Sequence, residues 1–433
     1  MKERSLTELY ADDPERADAI VFDRRTDKSR RGFLKHAGLT GMGLLLGGVI
    51  PYWRNYPAGL IPAALAQDNA GLVVPGKDGL RLLSDRPLNA ETPAHLLDDD
   101  VTPTSRHFIR NNGIPPATVD AEPWRLIVDG EVENPLNLGI ADLRRNFKVV
   151  SLKLQLECGG NGRAAFDPPA RGNQWTTGAI GNAEWTGVRY RDVLRAAGLK
   201  DAAVYTGHYG ADTHLSGQAD KVPISRGVPI KKALDPHTLI AFEMNGELLH
   251  PMNGAPLRVV APGWPGSCSQ KWLTRIWVRD VVHDGPKMTG TSYRVPTYPV
   301  APGQDVAEKD FRIIEAMPVK SLITYPKSGV KINAIKPSIV VRGHAWSGDA
   351  AIKRVDLSID FGATWAKADV DSPPNKFSWQ RWRSQINFPT PGYYEVWARA
   401  TDKNGIMQPF AVDWNPKGYL NNTLHRIAVQ VVA

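Results

Sequence analysis

The residues with the clearest capacity for chemistry surround one cysteine, Cys158. Gly159 and Gly160 follow it at the end of an apolar, strand-like stretch, and Arg163 comes shortly afterwards. Glycines let a backbone approach a ligand closely, and a neighbouring positive charge favours the thiolate form of a cysteine. Such a thiolate can act as a nucleophile or as a soft metal ligand. The alternative is a small buried side chain without chemistry, which is what an isolated cysteine more often is.

Four arginines occur in segments that could bring positive charge to the same place. They are Arg110 in a loop-like string, Arg163, Arg258 in an apolar strand, and Arg426 in the last strand. The planar guanidinium fork is suited to binding oxyanions. Each arginine alone is more typical of a solvated surface charge, and the sequence does not show that they converge.

Common catalytic and metal-binding motifs are missing from the sequence. It has no Cys-x-x-Cys, no His-Glu-x-x-His and no Cys-x-x-Cys-His haem site. No Gly-x-Gly-x-x-Gly leads from a strand into a helix, and there is no Gly-x-Ser-x-Gly elbow. We therefore expect any catalytic metal to arrive within an organic cofactor.

The composition excludes several classes of protein. The 433 residues are enough for two to four domains, and 42% hydrophobic with 23% charged residues is typical of a globular chain. Two cysteines exclude a disulfide-rich scaffold and a multi-cysteine iron–sulfur protein. The net charge is +8 without a dense Lys/Arg run, so the sequence favours an anionic small molecule or an acidic partner over nucleic acid.

The first 66 residues are predicted to be an export signal. Arg30 and Arg31 precede Phe33-Leu34-Lys35 and a Gly-rich apolar stretch, and Ala64-Leu65-Ala66 is typical of a cleavage site. The pattern resembles a twin-arginine signal, which predicts export of the folded protein to the periplasm. A stretch of about 14 residues is short for a membrane span, so we expect no stable membrane insertion after export. A basic linker before a buried helix and a retained N-terminal anchor are the alternatives.

The rest of the chain divides into three predicted parts. Residues 67–105 are expected to form an extended N-terminal arm, and residues 106–317 mix short strands with short helices, as in an α+β domain. Residues 318–433 alternate apolar and polar side chains over short strands, with Val355, Leu357 and Ile359 on one face. This last pattern predicts an immunoglobulin-like β-sandwich.

Several strings, taken in order, resemble the sulfite oxidase family of molybdenum enzymes. The resemblance is to bacterial periplasmic sulfite dehydrogenases without a fused haem domain, and it spans roughly residues 100–433. It rests on Phe108-Ile-Arg-Asn-Asn112, Leu156-Glu-Cys-Gly-Gly-Asn161, Trp175 to Trp185, Ala241 to Gly246, Pro256 to Gly263, Lys271-Trp-Leu, Gly343 to Gly348, Val355 to Trp365, Trp414-Asn and His425-Arg426. It implies a molybdopterin-binding catalytic domain followed by an immunoglobulin-like dimerisation domain.

The resemblance also implies a role for individual residues. Cys158 is expected to be the protein ligand to molybdenum, as a free thiolate, and Tyr293 to be the active-site tyrosine. The oxyanion pocket is expected to be lined by Arg110, Arg163, Arg426 and Trp175. The molybdopterin molybdenum cofactor is expected to contact Phe108, Arg110, Asn112, Cys158, Asp212, Asn253, Arg258 and Lys271. Asn112 and Asn253 stand where vertebrate members have His, and the string around Tyr293 differs from the best-known version.

As an activity, the resemblance implies oxidation of sulfite to sulfate by oxygen-atom transfer. Electrons are then expected to pass to a separate c-type cytochrome, and the sandwich domain implies a homodimer. One alternative is the sulfane dehydrogenase of a thiosulfate-oxidising complex, whose substrate sulfur is held on a carrier protein. A protein-repairing reductase is a second, although the C-terminal sandwich argues against it. An exported binding module without chemistry is a third, and it would contain no molybdenum.

Overall fold

The computed structural model describes residues 74–432 of the chain. The predicted twin-arginine signal peptide, residues 1–66, lies outside the described residues, and so do the first residues of the predicted arm, 67–73. Within the described range, no helix combines the length and the apolar composition that a membrane crossing requires.

The segment predicted as an extended arm is folded where the structure describes it. β1 (Arg81–Asp85) and β2 (Leu88–Glu91) pair as an antiparallel hairpin, and β3 (Ile109–Arg110) adds to β2. The buried carboxylate of Glu91 accepts a hydrogen bond from the backbone N–H of Thr176 at 2.8 Å. This part of the chain is therefore built into the α+β region, contrary to the prediction of an arm.

The α+β region consists mainly of short strands with three α-helices. In chain order its elements are β4 (Leu126–Gly130), β5 (Leu136–Leu138), α1 (Ile140–Asn146), β6 (Val149–Glu157), β7 (Ile180–Arg189), α2 (Tyr190–Ala197), β8 (Tyr205–Gly210), α3 (Ile230–Ala233), β9 (Leu239–Met244), β10 (Glu247–Leu248), β11 (Arg258–Val260), β12 (Leu273–Arg279), β13 (Arg294–Pro296) and β14 (Phe311–Ile313).

Two sheets form the frame of this region. One has the order β10-β9-β7-β6 with β11 also paired to β9, and the other has the order β5-β4-β12-β8. All pairs are antiparallel except β4 with β12, while β13 and β14 pair separately. Val128 of β4, Val188 of β7 and Leu194 of α2 are fully buried in one core cluster. This core holds both sheets together.

Strand β6 is the element that delivers the chain to Cys158. Its first half is partly exposed, whereas Leu154 and Leu156 near its end are buried in a second apolar cluster that also contains Cys158. β6 pairs with β7 along its whole length, from Val149 to Glu157. The end of the strand is thus fixed by both packing and backbone hydrogen bonds.

The C-terminal region is all-β, as the alternation predicts. Its strands are β15 (Lys320–Tyr325), β16 (Val330–Asn333), β17 (Ser338–Trp346), β18 (Ile352–Ser358), β19 (Ala366–Lys367), β20 (Asp369–Val370), β21 (Gln380–Asn387), β22 (Gly392–Asp402) and β23 (His425–Val432).

These strands form two sheets that enclose one apolar core. The sheet orders are β15-β17-β21-β20 and β16-β23-β22-β18-β19. Val355 and Leu357 of β18 point into the core, where Ile359 also packs. Two facing sheets of this kind are the layers of a β-sandwich.

Candidate active site

A pocket lies beyond the end of β6, with Cys158 in its wall. This inner pocket is lined by His107, Phe108, Arg110, Asn112, Leu156, Cys158, Asp212, Ile224, Met252, Asn253, Arg258, Gly266, Ser267, Ser269, Gln270, Lys271, Trp272 and Tyr293. The structure therefore brings all eight predicted cofactor-binding residues together around one cavity.

A second, more open cavity adjoins the inner pocket, and we call it the outer vestibule. It shares Arg110, Asn112, Cys158 and Tyr293 with the inner pocket. Its other lining residues are Pro87, Asn89, Arg163, Arg171, Gly172, Asn173, Leu215, Lys287 and Tyr419. Cys158 thus lies where a deep cavity meets the route to solvent.

The thiol of Cys158 is held on a tight turn. The backbone N–H of Cys158 donates to Ala179 O at 2.9 Å, and the N–H of Asn161 donates to Cys158 O at 2.9 Å. Both Cys158 and Cys268 are free and buried. Within residues 74–432, no cluster of three or more His, Cys, Asp or Glu is arranged to hold a metal ion.

Tyr293 and Arg110 meet where the two cavities join. Arg110 Nη2 donates to the hydroxyl oxygen of Tyr293 at 3.2 Å and to Asn112 Oδ1 at 3.0 Å. Asn112 Oδ1 also accepts from the Tyr293 hydroxyl at 3.2 Å and from Lys287 Nζ at 2.7 Å. Asn112 therefore orients the cations of Arg110 and Lys287 together with the phenol of Tyr293.

The charges around Tyr293 determine its acidity. Burial raises the pKa of Tyr293, but the positive charges of Arg110 and Lys287 outweigh burial, so the net pKa of the phenol lies below its ordinary value. Burial also opposes the charge of Arg110, yet its interactions with Tyr293 and Cys158 leave the pKa of Arg110 raised. Arg110 therefore stays charged beside the cysteine.

Arg163 is buried at the wall of the outer vestibule. Its Nε donates to Lys417 O at 2.8 Å and its Nη1 to Asn173 O at 3.0 Å. Its guanidinium carbon lies 5.0 Å from the ring centroid of Tyr419. No carboxylate in the described part of the chain pairs with Arg163, so its charge is available to an anion in the vestibule.

Two further cations are buried in the inner pocket. Arg258 donates to the backbone oxygens of Asn253 at 2.5 Å and of Ser269 at 3.1 Å, and Lys271 donates to Met252 O at 2.7 Å and to Asn111 Oδ1. Burial lowers the pKa of Arg258 to about 9 and holds the pKa of Lys271 well below its usual range. Among the described residues neither cation forms an ion pair.

The inner pocket also contains polar atoms that lack partners. His107 Nε2 and Asp212 Oδ1 are buried and have no hydrogen-bond partner in the described residues. Burial raises the pKa of Asp212 to about 6. The unpaired cations and the free hydrogen-bonding groups fit an anionic ligand that carries a polar heterocycle. Cys158 adds a thiol that can become a soft thiolate donor. The residues present thus fit a phosphate-bearing pterin with molybdenum.

Arg426 does not lie at the site, so its predicted role in the oxyanion pocket is wrong. Its side chain is 63% exposed and pairs with Glu395 at 3.3 Å on the outer face of the sandwich. Strand β23 alternates, and because Ile427 and Val429 face the core, Arg426 must point outward.

Trp175 has a different place from the predicted pocket wall. It is fully buried in the cluster that contains Cys158, and its ring packs edge-on against Phe108 at 6.4 Å between centroids. Its indole N–H has no partner among the described residues, and the side chain lines neither cavity. Trp175 supports the pocket from behind.

Sequence reasoning missed several residues of the site. Lys287 and Tyr419 line the outer vestibule, and the ring of Tyr419 stacks on Tyr293 at 5.6 Å. Lys77, in the segment predicted as an arm, donates to Thr104 O at 2.6 Å and to Asn253 Oδ1. Burial lowers the pKa of Lys77 to about 7. The Trp414-Asn string lies close to Tyr419, and the Asn415 side chain hydrogen-bonds the Tyr419 backbone, whereas no motif marks the two lysines.

Two family models match the chain along most of its described length. Residues 112–287 match the oxidoreductase molybdopterin binding domain, and residues 311–432 match the Mo-co oxidoreductase dimerisation domain. By fold and site, the protein is a molybdopterin oxidoreductase with a dimerisation domain. The predicted cofactor and fold class are confirmed by these matches.

Individual relatives give the family. The chain is 34% identical over 378 residues to sulfite oxidase of Gallus gallus, covering 83% of this chain and 80% of that protein. It is 33% identical over 372 residues to mitochondrial sulfite oxidase of Rattus norvegicus, covering 82% of this chain and 66% of that one. The chain belongs to the sulfite oxidase family, as its sequence strings predict.

A solved structure shares the fold over nearly the whole chain. The sulfane dehydrogenase SoxCD from Paracoccus pantotrophus superposes with a TM-score of 0.68 at 26% identity, covering 90% of this chain and 98% of that one. Against the rat and Drosophila melanogaster sulfite oxidases, the chain spans 66% and 63% of their length. The chain thus shares its fold with a protein described as a sulfane dehydrogenase and spans about two thirds of the length of these two sulfite oxidases.

Proposed function

We propose that the protein is a periplasmic sulfite dehydrogenase that oxidises sulfite to sulfate and passes the electrons to a separate c-type cytochrome. The observation that carries the proposal is the charge of the outer vestibule beside Cys158. Arg110, Arg163, Arg171 and Lys287 line it, and none of its lining side chains in the described chain is a carboxylate. Such a surface attracts and holds a small anion.

The protein groups bind and orient the substrate. Sulfite is an anion at neutral pH, and Arg110 and Arg163 present guanidinium donors from two different segments of the chain. Arg110 is held by Asn112 and Tyr293, and Arg163 by the carbonyls of Lys417 and Asn173, so neither must reorganise when the anion arrives. Fixed charges in a partly buried site favour oriented binding.

The reaction balances as sulfite plus water giving sulfate, two protons and two electrons. The molybdenum cofactor, when bound, supplies the oxygen-transfer and two-electron chemistry. Cys158 would hold the metal, and Arg258 and Lys271 would neutralise the anionic part of the pterin. The Tyr293 hydroxyl, hydrogen-bonded to Arg110 and Asn112, is placed to hold a proton or water at the junction of the cavities.

Sequence features support the proposed electron acceptor and compartment. The chain has no Cys-x-x-Cys-His haem motif, so the proposal assigns the acceptor to a separate cytochrome, which would dock through a small, polar contact. The twin-arginine pattern at Arg30 and Arg31 supports export of the folded protein. The dimerisation domain supports a homodimer.

A sulfane dehydrogenase is the second candidate, because the solved SoxCD structure covers 90% of this chain. Two features favour free sulfite. Tyr419 stacks on Tyr293 and lies against Arg163, so two aromatic rings take up space in the vestibule that a carrier peptide would have to enter. The four cations of the vestibule, which has no carboxylate among its described lining residues, also suit a free anion better than a sulfur atom carried on another protein.

The test is sulfite-dependent reduction of cytochrome c by the holoenzyme, exported with its cofactor machinery and recovered from the periplasmic fraction. Cys158→Ser is expected to abolish turnover, because a hydroxyl is a poor ligand for molybdenum. Cys268→Ser is the matched control, since Cys268 is equally buried and free but lines neither cavity. Near wild-type turnover in Cys158→Ser would refute the site. Turnover of a carrier-bound persulfide but not of sulfite would favour the second candidate.

A further inference from the structure

The residue before Cys158 forms a buried network with the sandwich domain. Glu157 is 0% exposed, and its Oε1 accepts from Lys320 Nζ at 2.7 Å and from Asn161 Nδ2 at 3.0 Å. Its Oε2 accepts from Trp346 Nε1 at 2.9 Å. Lys320 lies at the start of β15 and Trp346 at the end of β17, so both of these donors come from the sandwich.

The same ammonium group contacts both ends of the Cys158 turn. Lys320 Nζ donates to Asn161 O at 3.0 Å as well as to Glu157, and its side chain is 9% exposed. Between these two contacts lie Cys158, Gly159 and Gly160. The sandwich also donates the N–H of Leu420 to Gly159 O at 3.0 Å. The turn that carries the thiol is therefore held by groups from outside its own domain.

A buried ion pair of this kind is weak evidence for stability. Removing two charges from water costs about as much as their attraction returns, and apolar pairs of similar size are often as stable. The Lys320–Glu157 pair instead fixes the conformation of the Cys158 turn, because the ammonium group can reach its fixed acceptors in only one arrangement of that turn. The flexible Gly159-Gly160 pair makes such an external constraint necessary.

We propose that Lys320 is a positioning residue for Cys158, so that the sandwich domain completes the molybdenum site in addition to forming the dimer. By holding Glu157 and Asn161 together, Lys320 fixes the turn that presents the thiol to both cavities. The inference rests on Cys158 as the metal ligand and not on which sulfur compound is the substrate. It assigns this lysine no contact with the substrate.

A second ion pair between the two regions, more exposed than Lys320–Glu157, provides a control. Arg342 of β17 donates to Asp98 with Nη2–Oδ2 at 2.6 Å and Nε–Oδ2 at 2.9 Å. Asp98 also accepts from the Thr324 hydroxyl at 2.7 Å. Neither Asp98 nor Arg342 contacts the Cys158 turn. Arg342→Met thus removes an interdomain charge pair without touching the ligand, whereas Lys320→Met removes the pair that holds it.

The experiment compares the purified full-length holoenzymes of the wild type, Lys320→Met and Arg342→Met. Molybdenum per chain, the Mo(V) EPR spectrum after partial reduction with Ti(III) citrate, and alkylation of Cys158 by iodoacetamide are measured, with Cys268 as the internal reference for alkylation. Lys320→Met is expected to raise the ratio of Cys158 to Cys268 alkylation about tenfold, because local opening exposes the thiol. It is also expected to lower molybdenum content and to alter the EPR spectrum. Arg342→Met is expected to match the wild type in all three.

Two outcomes would overturn the proposal. One is a Lys320→Met protein with wild-type molybdenum content, EPR spectrum and Cys158 reactivity. The other is an equal change in both variants, which would mean general loosening between the domains. If Lys320→Met does not fold because Glu157 is left charged and unpaired, the double variant Lys320→Met with Glu157→Gln replaces it under the same criteria. None of these readouts uses sulfite, so a failure of the proposed activity is recognised separately.

Discussion

The charge of Arg163 should determine how tightly the outer vestibule holds sulfite. Arg163 is enclosed by backbone, since a Cβ on Gly418 would lie 2.6 Å from its Cγ and a Cβ on Gly172 would lie 2.9 Å from its Nη1. Nε and Nη1 are used by the carbonyls of Lys417 and Asn173. Nη2 makes no hydrogen bond with the described residues, so it is the donor left for the substrate.

The expected effect of Arg163→Met follows from that one donor. A hydrogen bond to a charged group contributes roughly 1.5–3 kcal/mol, and each 1.4 kcal/mol is a factor of about ten. We therefore expect kcat/KM for sulfite to fall by about 10- to 100-fold, mainly through KM. The kcat/KM of Arg163→Lys should lie between those of Arg163→Met and the wild type, because lysine keeps the positive charge but lacks the planar guanidinium donors.

The assay is steady-state sulfite-dependent cytochrome c reduction, with rates expressed per molybdenum atom. Arg426→Met is the matched control: its guanidinium is exposed and pairs with Glu395, and exposed ion pairs contribute about 0–1 kcal/mol to stability. Its sulfite KM should equal that of the wild type. An unchanged KM in Arg163→Met, or a raised KM in Arg426→Met, would refute the placement of the substrate.

Two further predictions test the vestibule entrance and the acid stability of the fold. Tyr419→Ala should raise the sulfite KM about fivefold, because a cation–π contact with Arg163 near 1 kcal/mol is lost. Tyr419→Phe keeps the ring and should have the KM of the wild type. Equal KM values in the two variants would contradict this prediction. Burial lowers the pKa of His344 to about 4 from an ordinary 6.5, so the unfolded chain binds the proton more tightly. The neutral, buried His344 therefore makes its full contribution to the free energy of unfolding above pH 6.5. That free energy falls by about 2 kcal/mol between pH 7 and 5, and the contribution is lost as the pH approaches 4. Urea unfolding of His344→Asn should show a smaller loss over the same range, and an identical pH dependence would show that His344 does not titrate as described.

The parts of the site that lie on local strings could be predicted from the sequence. Cys158 follows a strand whose apolar residues are visible in the pattern, and the structure places Arg258 and Lys271 at the same cavity. The two-layer sandwich also follows from alternation along β18 and β22. In these cases neighbours in sequence determine the local conformation.

The errors and omissions have non-local causes. The resemblance assigns Arg426 to the oxyanion pocket because it follows His425. The alternation of β23 instead turns its side chain outward. Tyr419 enters the vestibule from a loop between strands of the other domain, and Lys77 reaches Asn253 from far away in the sequence. Contacts of this kind depend on how the domains pack, and no periodicity or short motif within one segment encodes them.

The buried cations connect cofactor binding to folding. Arg258 and Lys271 lie in the inner pocket with only backbone carbonyls and an asparagine amide as partners, and burial disfavours their charged forms. An anionic ligand that binds only the folded chain offsets the cost of burying these two charges and stabilises the fold by mass action. The turn that carries Cys158, the proposed metal ligand, is at the same time held at Glu157 and Asn161 by Lys320 of the sandwich. Under the proposal, both regions must therefore be assembled before the site is complete. A protein built in this way has a physical reason to fold around its cofactor, and the proposed export through a twin-arginine signal would require that folding to come first.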